Sequence, residues 1–241
     1  MQIKVDTHSH TIMSGHAYST LQEMMKAAAK KGLQALAITE HGPVMPGTCD
    51  DFYFHNAAVI PRELYGVQLL MGVELNITDE YGKVDLPASV CRRLDLVIAS
   101  LHPFCFDGEN ETSVITNAYV AAMEKPYIHI IGHPDDSRGL PDYEVLVKAA
   151  KRTNTLLEVN NSSLSPYCYR TGVRENMLTM LDLCKQYEVF VATGSDAHIA
   201  SDVGNFEQIK EIFQYCNFPQ DLIVNHSVES IKPHLMNKCD G

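Results

Sequence analysis

Two histidines stand two positions apart near the start of the chain, in the stretch VDTHSH at 5–10. More histidines and carboxylates follow at the ends of short apolar runs further along. The candidate metal ligands are His8, His10, His16, His41, Glu74, His102, His133, Asp196 and His198. Imidazole and carboxylate groups without cysteine suit Zn, Mn or Fe. These residue types predict metal chemistry, provided that the fold brings them together.

The number of candidates also bears on the kind of site. A catalytic zinc takes about three protein ligands and keeps one position open for water. With one or two bridging carboxylates, nine ligands could hold two or three ions, so the set predicts a multinuclear site. A single such histidine would more often be an ordinary residue bonded in a turn. The prediction therefore depends on the whole set converging in one pocket.

Convergence requires that the apolar runs before these residues are neighbouring parallel strands. The runs occupy 3–8, 35–41, 69–76, 94–102, 127–133, 156–161 and 189–196. All are short and rich in Val, Ile and Leu, which is typical of parallel strands covered on both faces. In a parallel barrel, the carboxyl ends of the strands meet on one face. Ligands scattered over nearly the whole chain would then line one pocket.

Segments between the runs have helical character, as repeated strand and helix units require. In the first, Ser19 and Gln22 have the spacing of a capping box, and Gly32 is a natural stop. Met24, Met25 and Ala28 would form its buried face. A short strand and a helix capped by Ser227 are predicted near the C-terminus. The pattern predicts an α/β fold with a parallel sheet.

Composition limits the class of protein. Of the 241 residues, 45% are hydrophobic and 20% are charged, which predicts one globular domain over 1–241. The formal charge of −11 argues against general binding of duplex nucleic acid, since such binding depends on Lys and Arg neutralising phosphates. No apolar run is long enough to cross a bilayer, so no membrane partner is expected. A small phosphorylated molecule held by metal remains possible.

Cysteine usage and the N-terminus bear on location. The seven cysteines are scattered, with no C-x-x-C pair, so neither a disulfide framework nor a thiolate zinc site is indicated. The first residues lack the apolar stretch of a secretory signal. We therefore expect a soluble, cytoplasmic protein. The sequence indicates no oligomeric state.

Two residues are predicted to contact substrate. Arg170 follows the sixth run, where its guanidinium could clamp an anion bidentately, although arginine is also the usual solvated residue of a helix. Asn160 ends the same run, where its amide could contact substrate or stabilise a turn. Asp6 is a candidate partner that fixes an imidazole from behind. On a strand, His8 and His10 would point to the same side.

With these residues assembled, the sequence resembles the PHP superfamily, named for polymerase and histidinol phosphatase domains, and within it the YcdX-type probable phosphatases. The motifs are DTHSHT at 6–11, ITEHG at 38–42, GVELNI at 72–77, SLHP at 100–103, IGHP at 131–134, EVNNSS at 158–163 and GSDAH at 194–198. The resemblance implies a distorted (β/α)7 barrel, with three divalent metal ions, usually zinc, at the carboxyl ends of the strands. The segment DDSRGLPD after IGHP follows the family pattern less regularly, so the resemblance predicts less about the rim of the pocket.

The resemblance also implies which residues hold each ion. His8, His10, Glu74 and Asp196 would hold the first; Glu74, His102 and His133 the second; and His16, His41 and His198 the third. Glu74 would then bridge two ions.

The hypothesis is hydrolysis of a phosphate ester by a metal-bound hydroxide, with Asp196 and Glu74 as catalytic residues. A barrel amidohydrolase or deaminase is the nearest alternative, but no lysine ends the fourth run to bridge its metals. A non-catalytic, metal-stabilised regulatory module is the second alternative.

Overall fold

Seven parallel strands form the centre of the computed structural model, which describes residues 2–236. They are β1 (Val5–Asp6), β2 (Ala35–Ile38), β4 (Val67–Asn76), β5 (Leu96–Ser100), β6 (Ile130–Ile131), β7 (Leu156–Asn160) and β8 (Val191–Gly194). They are hydrogen-bonded in that order, and the short β3 (Glu63–Leu64) pairs antiparallel with β4. Every predicted run overlaps one barrel strand. The predicted distorted (β/α)7 barrel is confirmed.

The barrel closes between β1 and β8 through backbone beyond the two strands. The Asp196 amide donates to the His8 carbonyl at 2.8 Å, and the His10 amide donates to the Ala197 carbonyl at 2.9 Å. Nearer the other end, the Asn225 side-chain amide donates to a carbonyl of each strand at 2.9 Å. The bonds that close the barrel therefore also bring the first and last motifs of the sequence together.

Helices follow each barrel strand, and all but the last helix contribute to the apolar layer on its outer face. They are α1 (Leu21–Lys31), α2 (Asp51–His55), α3 (Ala88–Cys91), α4 (Thr112–Met123), α5 (Tyr143–Thr153), α6 (Val173–Tyr187), α7 (Glu207–Tyr215) and α8 (Val228–Ile231). The capping box of α1 is formed by Thr20 and Glu23, so the prediction of Ser19 and Gln22 was wrong by one residue. Met24, Met25 and Ala28 are buried and Gly32 ends the helix, as predicted.

Two apolar layers hold the barrel. The interior is filled by Val5, Ala35, Ala37, Leu70, Leu96, Ile98, Ile130, Leu156 and Ala192. A larger layer lies between the strands and the helices. Since Leu70 is an interior residue, the alternation of a strand points Gly72, Glu74 and Asn76 to the same side. The strand that fills the barrel with Leu70 thus delivers the Glu74 carboxylate to its carboxyl end.

The C-terminal segment differs in part from the prediction. Instead of a strand, Val224–His226 forms a 3-10 helix, while Ile223 makes one isolated bridge to Val191. Ser227 caps α8 as predicted. Among the described residues, no helix is long and apolar enough to span a membrane. The single domain over 1–241 stays a prediction, since residues 1 and 237–241 lie outside the described part.

Candidate metal centre

The predicted ligands all lie at the carboxyl end of the barrel. Seven are buried, namely His8, His10, His41, Glu74, His102, His133 and Asp196. His198 is half-buried and His16 is exposed. A cavity of about 570 Å³ opens above them and is lined by seven of the nine, from His16 in the first loop to His198 after the last strand. The fold therefore brings the whole predicted set to one place.

Ligand atoms from different strands approach closely enough to share ions. There are four groups of three residues in which one ligand atom from each side chain lies within 4.8 Å of the other two. The groups are His8, His10 and Asp196; His8, Glu74 and His133; His41, Glu74 and His102; and His10, His41 and His198. His16 Nε2 lies 3.2 Å from His41 Nε2, beside the last group. Several residues recur, as expected of adjoining ion sites.

The Glu74 carboxylate lies between two sets of imidazoles. Its Oε1 is 2.8 Å from His133 Nε2 and 3.5 Å from His102 Nε2. Its Oε2 is 3.4 Å from His8 Nε2 and 3.5 Å from His10 Nε2. Each oxygen thus faces a different set of histidines, which is the arrangement that a bridging carboxylate requires. The same division separates the first and second predicted ions, although which residue holds which ion stays a prediction.

Two orphaned polar atoms test whether a cation fits. His41 Nδ1 and Glu74 Oε2 lie 2.7 Å apart, yet both are buried and neither is part of a hydrogen bond. His8 Nε2 and His10 Nε2 face each other at 3.0 Å. Tetrahedral ligands at zinc–nitrogen distances of about 2.0–2.1 Å lie about 3.3 Å apart, close to these separations. The donor set fits divalent metal ions.

Hydrogen bonds to Nδ1, on the side of the ring away from the site, fix the imidazoles of His8 and His10. His8 Nδ1 lies 2.7 Å from Glu158 Oε1, so Nδ1 carries a proton and donates to that carboxylate. His10 Nδ1 lies 2.9 Å from Ser14 Oγ, which itself donates to Glu40 Oε2 at 2.6 Å. Carboxylates behind ligand histidines orient the ring and raise its basicity. Both rings therefore turn Nε2 toward the site.

The imidazoles of His102 and His198 are held in the same way. His102 Nδ1 lies 2.7 Å from Asn76 Oδ1, and the Asn76 amide nitrogen donates to Asp85 Oδ2 at 2.6 Å. His198 Nδ1 donates to the Asp196 backbone carbonyl at 2.9 Å. With each Nδ1 bonded, Nε2 is the nitrogen available to an ion. Four of the predicted histidine ligands are thus pre-oriented by protein groups.

The sequence analysis did not identify Glu158, the carboxylate that orients His8, and predicted Asp6 for that role. Asp6 accepts from the Ser195 backbone and hydroxyl and from the Gly204 amide, so it fixes the loop after β8 and contacts no imidazole side chain. Glu158 is the residue behind His8. A Cβ on Gly194 would lie 2.4 Å from both Glu158 Oε1 and His8 Cβ, which explains a glycine at that position.

Burial sets the protonation of this cluster. Burial lowers the pKa of His102 to about 4, despite the opposing charge of Glu74. Burial and neighbouring histidines also hold the pKa of His10 well below its usual range. Burial raises the pKa of Glu74 and Asp196, but the neighbouring histidines, with His8 the strongest, together outweigh it, and both carboxyls end well below their usual pKa. Neutral imidazoles beside ionised carboxylates are the form that binds metal.

The comparisons with known proteins agree with this geometry. The sequence model of the PHP domain matches residues 6–164. The chain belongs to the PHP family. A probable phosphatase of Caldicellulosiruptor bescii is 45% identical over 230 residues, covering 95% of this chain and 94% of that protein. A probable phosphatase of a Thermoanaerobacter species is 43% identical over 238 residues, covering 99% and 96%. These names agree with the predicted class of enzyme, a phosphoric ester hydrolase.

A solved structure shares the PHP fold. It is the histidinol phosphate phosphatase of Lactococcus lactis in complex with zinc, L-histidinol and phosphate. It superposes with a TM-score of 0.61 at 18% identity, over 90% of this chain and 94% of that one. The predicted resemblance to the PHP superfamily is confirmed, and the common fold covers nearly the whole chain.

Two residues of the PHP motifs have unusual backbone conformations. His133 has φ of 28° and Asp196 has φ of 53°, both in the left-handed region that favours glycine. The His133 amide is held there by Glu158 Oε2 at 2.9 Å, and the Asp196 amide by the His8 carbonyl. Such strain persists where surrounding structure enforces it, and it clusters at functional sites. In both cases, the strained residue is a predicted ligand.

The two predicted substrate contacts have different surroundings. Arg170 lines the cavity; its Nη1 donates to Ser163 Oγ at 2.7 Å, and its Nη2 lies 3.8 Å from Asp196 Oδ2. Asn160 is fully buried, and its amide nitrogen is 3.2 Å from both Glu158 Oε2 and Asp196 Oδ2. Its Oδ1 accepts from Ser163. The geometry therefore favours a supporting role for Asn160 over the predicted substrate contact.

Metal binding to the metal-free protein is expected to release protons. Burial lowers the pKa of His8, but Glu158, Glu74 and Asp196 outweigh it and raise that pKa well above 6.5. A metal needs neutral imidazole, so zinc titrated at pH 7 should displace at least about one proton per chain, measured by calorimetry in buffers of different ionisation enthalpy. Proton release should diminish as the pH rises through the raised pKa. Release that is absent at pH 7 would contradict this assignment.

The same shift has a consequence for the stability of the metal-free protein. Because the folded-state pKa is raised, the charged His8 stabilises the fold fully below pH 6.5, and this contribution is lost as the pH rises through the raised pKa.

Proposed function

We propose that this protein is a metal-dependent phosphatase that hydrolyses a small phosphorylated molecule. The observation that carries the proposal is Glu74, whose two oxygens face separate sets of histidines at the floor of a cavity that Arg170 also lines. Adjoining metal sites beside an arginine suit a phosphoryl group, because both can neutralise its oxygens. The PHP relatives named probable phosphatases support the same reaction class.

The proposed cofactor is a set of three divalent ions held by the nine predicted ligands. Their imidazole and carboxylate donors suit zinc first, with Mn or Fe as alternatives. Zinc in the Lactococcus lactis phosphatase supports that preference. The groups formed by the ligand atoms would supply the shared coordination that such a set needs.

Bound ions would supply a nucleophile by lowering the pKa of water, and would neutralise phosphoryl oxygens. The chain itself positions the reactants. Asp196 Oδ1 lies 3.4 Å from His10 Nε2, while its Oδ2 faces Asn160 and Arg170. Asp196 therefore stands between the metal ligands and the anion-binding arginine, where it can orient the attacking water. Glu74 would help to hold two of the ions, and Arg170 would bind the phosphoryl oxygens.

A barrel amidohydrolase or deaminase is the alternative reaction. The residues that line the described cavity include no lysine that could bridge metals as in that class. The carboxylate between the histidines, Glu74, comes instead from β4. Phosphate and ammonia release should be assayed side by side on panels of phosphate esters and amides with the metal-loaded protein. Phosphate release alone supports the proposal, whereas ammonia release alone would replace it with the alternative. Release of neither would favour a regulatory module.

The cytoplasmic location stays a prediction.

Arg170 is expected to act mainly on substrate binding. Its guanidinium offers bidentate hydrogen bonds that an ammonium lacks, so Arg170→Lys should raise KM, and Arg170→Met should raise it further, by about 10- to 100-fold. Steady-state kinetics with a phosphomonoester would show the change. Arg174→Met is the matched control, because Arg174 stacks on Tyr215 at 5.1 Å and is not among the residues that line the cavity. An unchanged KM in Arg170→Met would remove Arg170 from the phosphate site.

A further inference from the structure

The rim of the cavity is aromatic and apolar rather than cationic. Phe104 comes from the loop after β5, and Tyr167 and Tyr169 come from the loop after β7; their side chains are 64%, 95% and 54% exposed. Met45 and Pro46, from the loop after β2, extend the same rim. Large apolar side chains grouped at a cavity mouth are typical of a ligand-binding site, since they lose contact with water when a ligand covers them.

One of these aromatic residues is held in place by charged neighbours. The Arg138 guanidinium carbon lies 4.8 Å from the centre of the Tyr169 ring. Arg138 Nε donates to Asp136 Oδ2 at 2.9 Å, and Asp136 Oδ1 accepts from the Thr171 amide at 3.2 Å. The Ser137 amide donates to the Thr171 carbonyl at 2.9 Å. The irregular segment after IGHP thus clamps the Tyr169 loop, which makes this wall of the cavity pre-organised.

The charges that line the cavity allow for one phosphate group. Arg170 is the one lysine or arginine among the lining residues of the described cavity, and it lies close to the metal ligands. The exposed Asp202 lies on the rim. A second phosphate on the leaving group would meet aromatic rings and a carboxylate, and Arg138, which stacks on Tyr169, is already paired with Asp136. Such an unpaired charge disfavours a substrate, so the rim selects against bisphosphates.

We infer that the substrates are phosphomonoesters whose alcohol carries an uncharged aromatic ring and no second phosphate. The inference rests on the proposed phosphatase function and specifies its substrate class. With the phosphate held at Arg170 and the metal ligands, the alcohol extends toward the rim, where Phe104, Tyr167 and Tyr169 contact its ring. Aromatic pairs add attraction beyond the area they bury, and Tyr169 is fixed to receive such a ring.

Esters of primary alcohols test the inference without a change in leaving-group chemistry. The metal-loaded protein should hydrolyse 2-phenylethyl phosphate with kcat/KM at least about tenfold above ethyl phosphate. It should also prefer 2-phenylethyl phosphate to 2-cyclohexylethyl phosphate, which has similar bulk but no π-system. Propyl phosphate should be a better substrate than propane-1,3-diol bisphosphate. Tyr169→Leu should reduce the phenyl over cyclohexyl ratio toward one. The matched control Tyr215→Leu removes another tyrosine stacked on an arginine and should preserve the ratio.

A binding measurement accompanies the kinetics. By calorimetry, 3-phenylpropylphosphonate, which cannot be hydrolysed, should bind more tightly than 3-cyclohexylpropylphosphonate, and Tyr169→Leu should remove the difference. If the unsubstituted protein and every variant hydrolysed the phenyl and cyclohexyl esters with equal kcat/KM, the inference would be overturned and the phosphatase proposal would stand. Higher activity on the bisphosphate would also overturn it. No phosphate release from any ester would overturn the proposed function, and the inference with it.

Discussion

Glu74→Gln is expected to lower metal content and phosphatase activity together. Glutamine keeps the size of the side chain but removes the charge and offers only one oxygen, so it cannot face both sets of histidines as a carboxylate does. Loss of a group behind a ligand already lowers activity or affinity about 10- to 100-fold, so loss of this ligand should lower kcat/KM by more than about 100-fold. Elemental analysis and phosphate release on the same preparation would measure both effects.

Glu63→Gln is the control for this change. Glu63 is exposed on β3 and lies away from the cavity lining, so its variant should keep both the metal and the activity. Thermal unfolding of both variants would show that the fold is intact. A Glu74→Gln protein with full activity and unchanged metal would contradict the assignment of Glu74 as a bridging ligand.

Glu158→Gln is expected to weaken the site although Glu158 is not a predicted ligand. Its Oε1 accepts from His8 Nδ1 at 2.7 Å, and its Oε2 accepts from the His133 amide at 2.9 Å. A glutamine can accept at only one of these positions and turns an N–H toward the other donor. Metal affinity and kcat/KM should each fall by about 10- to 100-fold.

The measurement for Glu158 compares metal affinity from competition with a chelator and kcat/KM after saturation with metal. Glu175→Gln, an exposed change on α6, should leave both unchanged. If Glu158→Gln matched the unsubstituted protein in both measurements, the Glu158 to His8 hydrogen bond would have no role in orienting the ligand.

The fold and the convergence of the candidate ligands were predictable because both depend on regular features. Short apolar runs ending in His, Glu or Asp indicate parallel strands, and parallel strands in a barrel bring their carboxyl ends together. Glu74 shows the link, since the alternation that buries Leu70 in the barrel also points Glu74 into the site. Apart from β4, which begins two residues before its run, the strands are shorter than the runs; β6 covers only Ile130–Ile131. His133 lies beyond its strand, in a conformation that a sequence pattern does not reveal.

The supporting hydrogen bonds were not predictable to the same extent. Asn160 drew attention in EVNNSS because it ends the strand, while Glu158 two residues earlier is the group that fixes His8. Strand alternation places both on the interior face, and this was the available signal for Glu158. Which carboxylate lies behind which imidazole depends on how far β7 and the backbone beyond β1 are shifted along β8, which lies between them. Asp6 was therefore assigned wrongly, and the α1 capping box was misplaced by one residue for a similarly local reason.

The central claim, that bound divalent ions at Glu74 and its histidines perform phosphate ester hydrolysis, is tested most directly by metal removal and return. The full chain should be stripped with a chelator, analysed for metals, and assayed for phosphate release while zinc or manganese is added back in known amounts. We predict that the stripped protein is inactive and that activity returns with the second or third ion bound per chain. Hydrolysis that persists without metal, or full metal occupancy without hydrolysis of any phosphate ester, would contradict the account.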